Sequence, residues 1–423
     1  MKRPATLARS LGLGDAVAIG LGSMLGAGVF AAFAPAAGVA GSAMLVGLAL
    51  AATVAFANAT SSAQLAAQYP DSGGTYIYGR ERLGPWPGFL AGWFFVVGKL
   101  ASCAAMALTF AAYVAPSGWE KIFAVGAVLV LTAVNYVGVT RTAALTKIIV
   151  AVVIAVLGLV AVAAFVAAPS DGSGVLLGLG FGDSGSVSVY EVLQSAGLLF
   201  FAFAGYARIA TLGEEVRRPQ RTIPSAITIA LTATLLIYAV LAVAALAVLG
   251  PERLAGSSDP LRELAAAGGW EWTAPLVRIG AAAASLGALL ALITGISRTS
   301  LAMSRNGDLP RVLDSVHPRF RVPHRAELAA AAVVCVLVLA ADLRSAIGFS
   351  SFGVLLYYLV ANISAFTQGR PHRRYPRALA VFGAVGCLVL VTTLPWQSIL
   401  AGACVGAVGI TYRAVVVRAA ANR

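Results

Sequence analysis

The chain reads as an all-α, polytopic membrane protein of about twelve transmembrane helices. Three observations lead there. Of its 423 residues, 59% are hydrophobic and only 11% charged, and the mean hydropathy is +0.87. Soluble domains, by contrast, carry about 25% charged residues. The apolar residues gather into runs close to the ~20 residues that cross a bilayer. Lysine and arginine then fall almost wholly into alternate connections between those runs. Together these exclude a soluble enzyme, a disordered tail and a small secreted module.

Runs of spanning length lie at about 14–36, 41–66, 87–114, 119–138, 144–168, 190–212, 223–249, 274–298, 326–341, 345–366, 377–394 and 397–416. An even count places both termini on one face. With the amino terminus inside, the cytoplasmic connections hold Arg80, Arg82, Arg141, Arg217, Arg218, Arg305 and the clusters at 319–325 and 370–377. The external connections hold only Lys121, Arg253, Arg262, Arg278 and Arg344. Because Lys and Arg resist transfer across the bilayer, this asymmetry sets the orientation. The net charge of +13 therefore records membrane insertion and does not point to a nucleic-acid partner. The opening MKRPATLARS has the basic flank of a signal peptide, but the apolar run behind it is too long for a cleaved leader. It reads as the first anchored span.

Polar connections lie at 67–86, 169–189, 213–222, 250–273, 299–325 and 367–376. The 169–189 segment is rich in Gly and Ser, lacks Lys and Arg, and separates five spans from the next five. Cys103, Cys335, Cys387 and Cys404 lie within apolar runs without CxxC spacing and read as packing residues. His317, His324 and His372 fall in polar loops, so no metal cluster and no cofactor are expected.

Non-helical backbone at membrane depth survives only where it is buried in protein or lines a cavity. Span 1 contains GLGSMLGAG, with Gly20, Gly22, Gly26 and Gly28 near its midpoint, and span 6 contains FFAFAGYA around Gly205. Glycine-interrupted spans at matched places point to a transporter's central site. Amide groups starting one half-helix suit a carboxylate, and carbonyls ending the other suit an ammonium or a sodium ion. Such a pair holds both ends of an α-amino acid. The alternative for GSMLG is close helix packing of the GxxxG kind; the paired break in span 6 favours a site.

Lys99 lies near the centre of span 3, about a dozen residues from either end. An ionisable group there costs several kcal/mol unless it meets a cavity or a partner, which makes it a functional candidate. It would contact a substrate carboxylate or cycle a coupling proton. The alternative, snorkelling to an interface, is disfavoured by that depth.

Four ordered motifs carry a family resemblance. Span 1 reads GLGDAVAIGLGSMLGAGVF, span 2 is followed by YPDSGGTYIYGRERLG, span 6 and its exit read LFFAFAGYARIATLGEEVRRPQRTIP, and RTSLAMSRNGDLPRVLDSVHPRFRVPHRA follows span 8. These resemble the amino acid–polyamine–organocation superfamily of permeases over nearly the whole chain. The resemblance implies one transport domain of the leucine-transporter type. It would comprise inverted five-helix repeats at about 14–168 and 190–366 plus two extra helices at about 377–416, with spans 1 and 6 unwound.

Carried over by position, Ser23, Met24, Leu25, Gly26, Ala27 and Gly28 would bind the carboxylate through backbone amides. Ala202, Phe203, Ala204 and Gly205 would offer carbonyls to the amine, and Phe201 would be the aromatic gate, with Phe200 and Phe203 as neighbours able to serve instead. Proton-coupled members with a span 5 lysine place it where this chain has Val153, while Lys147 comes earlier and reads as snorkelling. This departure leaves Lys99 as the coupling candidate. Arg208 stands beside the place where some relatives carry an acid, which argues against cationic substrates. It would pair with Glu214 or Glu215, and those glutamates fit a cytoplasmic gate with Arg217, Arg218 or Arg305. Asp15 would cap span 1.

The expected function is secondary active transport of a neutral or acidic amino acid across the bacterial plasma membrane by alternating access. Protons are favoured over sodium as the coupling ion. Sodium would want hydroxyls near spans 1 and 8, and Ser297, Thr299 and Ser300 sit close to the cytoplasmic exit. An exchanger or exporter would share every motif. A channel or sensor is disfavoured by the paired breaks, and no acid–histidine cluster supports a membrane enzyme.

Overall fold

The computed structural model describes residues 11–26, 28–70, 73–137, 143–167, 187–210, 213 and 215–421. Ala27, Glu214 and most of the 169–189 connection lie outside these described residues. The described residues are mainly helical, with turns and irregular connections and an isolated bridge between Leu11 and Val216.

Every predicted run is occupied by a helix. Span 1 is Leu13–Met24, Gly28–Ala31 and Phe33–Ala40, and span 2 is Met44–Gln68. Spans 3 to 5 are Pro85–Val114, Glu120–Tyr136 and Ala143–Ala167. Span 6 is Val189–Phe203 continued by Ala207–Ala210, and span 7 is Pro219–Gly256, bent at Gly250 ahead of Pro251. Spans 8 to 12 are Ala274–Arg305, His324–Ala340, Leu343–Phe366, Arg377–Thr393 and Trp396–Ala421. Among the described residues nine helices are long and apolar enough to cross a membrane. Spans 4, 9 and 11 are shorter, at 17 residues each. The polar connections hide two further helices, Thr75–Leu83 and Pro260–Ala267.

Local chemistry explains the helix starts. Ser188 and Glu191 form a reciprocal capping box at span 6, and the Asp342 carboxylate accepts from the Ser345 amide at span 10. Pro85, Pro219 and Pro260 open their helices, where a missing N–H costs nothing. Asp15 acts from inside the first turn, accepting from the Gly12 amide at 2.8 Å, so Gly12 and not Asp15 holds the cap position. Its carboxylate also pairs with Lys147 at 2.7 Å, which gives the half-exposed Lys147 a specific partner on span 1.

The interior is built from small residues. Spans 3 and 10 meet at Gly98 and Gly353, where an added Cβ on Gly353 would stand 2.8 Å from the Gly98 Cα. Large apolar side chains such as Val130, Leu236, Val336 and Val408 stay exposed on the outer faces, as lipid contact requires. Cys103 and Cys387 are buried packing residues; Cys404 is exposed on span 12, so packing does not account for it.

At the arginine-rich end, two of the motifs meet. Asp308 is fully buried and accepts from the Tyr76 hydroxyl at 2.8 Å and from Arg80 at 2.7 Å. Arg413 of span 12 pairs with the same carboxylate, and its guanidinium lies over Phe89. Burial raises the Tyr76 phenol, so it remains a neutral donor. This cluster ties Thr75–Leu83, the segment after span 8, and span 12 together.

Candidate substrate site and its cavity

Span 1 loses helical form after Met24 and regains it at Gly28. Span 6 tightens after Phe203 into a 3-10 turn over Ala204–Tyr206. The two breaks lie against each other. A Cβ on Gly205 would fall 2.4 Å from the Ser23 carbonyl oxygen and 2.6 Å from the Met24 amide nitrogen, so the contact admits only glycine. Close packing and an unwound site are thus one feature: the packing of Gly205 is what joins the two broken backbones.

The loosened carbonyls have partners. Lys99 Nζ donates to the Ala204 carbonyl at 3.3 Å, and the Tyr358 hydroxyl donates to the same oxygen at 3.3 Å. The Tyr238 hydroxyl lies between the carbonyls of Met24, at 2.6 Å, and Ala202, at 3.1 Å. The Gly26 carbonyl accepts from Ser285 at 3.4 Å. Tyr238, Tyr358 and Ser285 carried no sequence signal, because a buried tyrosine on an apolar span reads as core.

Lys99, Phe201, Ala204 and Gly205 line a small central pocket of about 60 Å³. That is room for about two water molecules, so an amino acid requires it to widen. Phe201 faces this pocket, whereas Phe200 packs edge-on against Tyr358 and Phe203 against Tyr238. Phe201 is therefore the one aromatic of the three that borders the pocket. Met24 and Leu25 are buried in the core, and Leu25 also lines the larger cavity next to this pocket.

A larger cavity of about 440 Å³ adjoins the pocket, and both are lined by Ser23, Arg208, Ala291 and Arg298. It is walled by spans 1, 5 and 8 and by residues 320–323, with Val153 in the wall. At the other end the route is plugged. Phe30 packs edge-on against Tyr113, whose hydroxyl donates to the Phe30 carbonyl at 3.2 Å and accepts from the Leu261 amide at 3.4 Å. The Pro260–Ala267 helix thus seals one end while the arginine-rich end stays open.

Charges at that open end differ from expectation. Glu215 pairs with Arg298 at 3.3 Å, and Arg305 pairs with Asp314 at 3.0 Å. Glu215 thus pairs with Arg298 of span 8, not with the expected Arg217, Arg218 or Arg305, while Leu11 holds the 215–217 backbone. Arg208 borders both pocket and cavity. Thr299 lines the central pocket, but its hydroxyl and that of Ser297 bond to carbonyls of their own helix, each at 3.0 Å. Glu327 of span 9, a lone acid inside an apolar run, also reaches the cavity; that isolation was a signal the sequence offered.

Comparison with known proteins identifies the family. The sequence model of an amino acid permease family matches residues 11–416. Uncharacterized transporters of Mycobacterium bovis and Mycobacterium tuberculosis are 58% identical over 96% of this chain and 91% of theirs. A branched-chain amino acid permease of Bacillus subtilis is 24% identical over 93% of this chain and 90% of its own. A cationic amino acid transporter of Arabidopsis thaliana is 27% identical over 93% of this chain and 72% of its own. A multi-pass helical bundle matched by this family over residues 11–416 leaves one assignment: the chain belongs to the amino acid permease family of membrane transporters.

Proposed function

We propose that this permease is a secondary active transporter that takes up a neutral or acidic amino acid with protons by alternating access. It does so across the plasma membrane, with both termini cytoplasmic. Two five-span repeats, at about 14–168 and 190–366, carry the site, and two further helices follow at about 377–416. The observation that carries the reading is the pocket at the paired breaks, where Lys99 donates to the Ala204 carbonyl. In this reading amides of 23–28 take the substrate carboxylate, and the carbonyls of 202–205 take its amine once Lys99 turns away. Phe201 closes over the substrate. Arg208, Glu215 and Glu214 form the gate.

The pocket lining includes three cations, Lys99, Arg208 and Arg298, and no acid among the described residues. A cationic side chain would meet like charge there, which costs energy in a low-dielectric site. That separates this chain from the cationic substrates named for the plant relative, while the branched-chain substrate named for the bacterial one fits. With the arginine-rich end in the cytoplasm, the open cavity faces inward.

The test is reconstitution in liposomes with labelled amino acids, with and without pH and sodium gradients. Accumulation of a neutral or acidic amino acid driven by the pH gradient is expected. No accumulation under any gradient sinks uptake, and sodium dependence sinks proton coupling. Strict dependence on a preloaded lumen would make the protein an exchanger.

A further inference from the structure

The large cavity contains a carboxyl group that the substrate site does not use. Glu327, in the first turn of span 9, is 1% exposed, lies in the cavity wall, and has one oxygen, Oε2, without a hydrogen-bond partner. An ionised carboxylate buried with an orphaned oxygen is costly, and a proton or a cation relieves that cost. The neighbouring cation is Arg298 of span 8, with Ser297 as a further polar neighbour. Arg298, however, is paired with Glu215. One arginine thus stands between two carboxylates.

The carboxylates sit on different structural units. Glu215 follows the span 6 break; its carbonyl accepts from the Leu11 amide at 3.0 Å, and the Arg217 amide donates to the Leu11 carbonyl at 2.8 Å, stitching this segment to the start of span 1. Glu327 and Arg298 sit on spans 9 and 8, which pack together. Any movement of the broken helices away from spans 8 and 9 stretches the Glu215–Arg298 pair and frees Arg298 for Glu327.

Two other cations share the cavity with Glu327, and the remaining charged groups near span 9 are placed elsewhere. Arg208 and Arg321 border the same cavity. On its own helix, His324 packs edge-on against Tyr136 of span 4 and against His317. Span 3 contributes Lys99, which faces the central pocket; Arg311 in the short turn before span 9 is exposed; Arg305 is held by Asp314. At the far end of the contact with span 4, Lys121 donates to the Leu339 carbonyl.

We propose that Glu327 is a proton-binding site of the transport cycle, protonated while Arg298 is held by Glu215 and ionised when Arg298 is released to it. The proton is thereby exchanged for a guanidinium, and cavity conformation is linked to pH. This rests on the proton-coupled reading above and assigns one carboxyl to it.

Counterflow of labelled amino acid in liposomes, at matched pH on both sides, provides the test. Wild-type counterflow changes through a pH step, and E327Q flattens that step at a rate within about threefold of one plateau. E215Q, which leaves Arg298 one carboxylate, moves the step about one pH unit toward acid. Infrared difference spectra of the purified protein supply a readout independent of transport: a protonated-carboxyl band that titrates in wild type and is missing in E327Q. Should E327Q fail to fold, E327D must shift both the step and the band. An unchanged pH profile in E327Q or E327D, or a band that survives E327Q, overturns the proposal while leaving the permease reading intact. Absence of any wild-type counterflow breaks the permease reading itself.

Discussion

Lys99 Nζ donates to the carbonyl of Ala204 at 3.3 Å, so a lysine of span 3 holds the break in span 6. In the proposed reading the ammonium stands where the substrate amine would bind. Removing it deprives the pocket of one of its three cations and frees one carbonyl lone pair. We expect Lys99→Ala to lower uptake at least about tenfold, since in the proposed reading the ammonium turns to the substrate carboxylate, and a hydrogen bond to a charged group contributes about 1.5–3 kcal/mol. Initial rates in liposomes decide it: normal rates and normal coupling would make Lys99 structural.

Gly205 offers a sharper test of the site's architecture. Its Cα is pressed against the Ser23 backbone, which has no flexible end to move aside. Gly205→Ala is expected to cost about 1–3 kcal/mol through overpacking and to abolish transport. Gly158→Ala is the control, because nothing lies within 4 Å of its added Cβ. Melting temperatures in detergent, with counterflow, compare the two; equal behaviour would argue against tight contact between the breaks.

Phe200 and Phe201 are adjacent and both buried, yet their surroundings differ. Phe201→Ala should raise the KM for substrate with little change in melting temperature, because its ring borders the pocket. Phe200→Ala removes a ring packed on Tyr358 and should cost about 3–5 kcal/mol of stability. If both variants lose stability alike, Phe201 is a core residue and the gate lies elsewhere.

Asp308 holds Arg80, Arg413 and Tyr76 at once. Asp308→Asn leaves two guanidinium groups facing a neutral amide in a buried place, and breaking such a pair costs about 3–5 kcal/mol. A clear fall in melting temperature is expected, with substrate affinity in the surviving fraction unchanged. A lowered affinity without a lower melting temperature would tie this cluster to the substrate site instead.

The twelve spans were legible because lipid demands long apolar helices and each leaves its run in the sequence. The breaks were legible for a related reason: glycine at mid-span is costly unless close approach or unwinding requires it, and Gly26, Gly28 and Gly205 lie at those places. Lys99 stood out because a charge at that depth needs a partner. Partner choice is another matter. The sequence did not show that Glu215 would face Arg298, 83 positions away, or that Asp308 would collect Arg80 from 228 positions away. Tyr238 and Tyr358 looked like core and proved to satisfy the loosened carbonyls of the breaks.

Hydropathy, charge sidedness and glycine placement are properties of single segments, and from them followed an all-helical membrane transporter with two interrupted helices. The lysine's carbonyl, the aromatic that borders the pocket, and the competition of Glu215 and Glu327 for one arginine arise where separate segments meet. Those contacts depend on how helices pack and rotate against one another, and short-range pattern in a chain carries no record of which distant side chain will stand across a cavity.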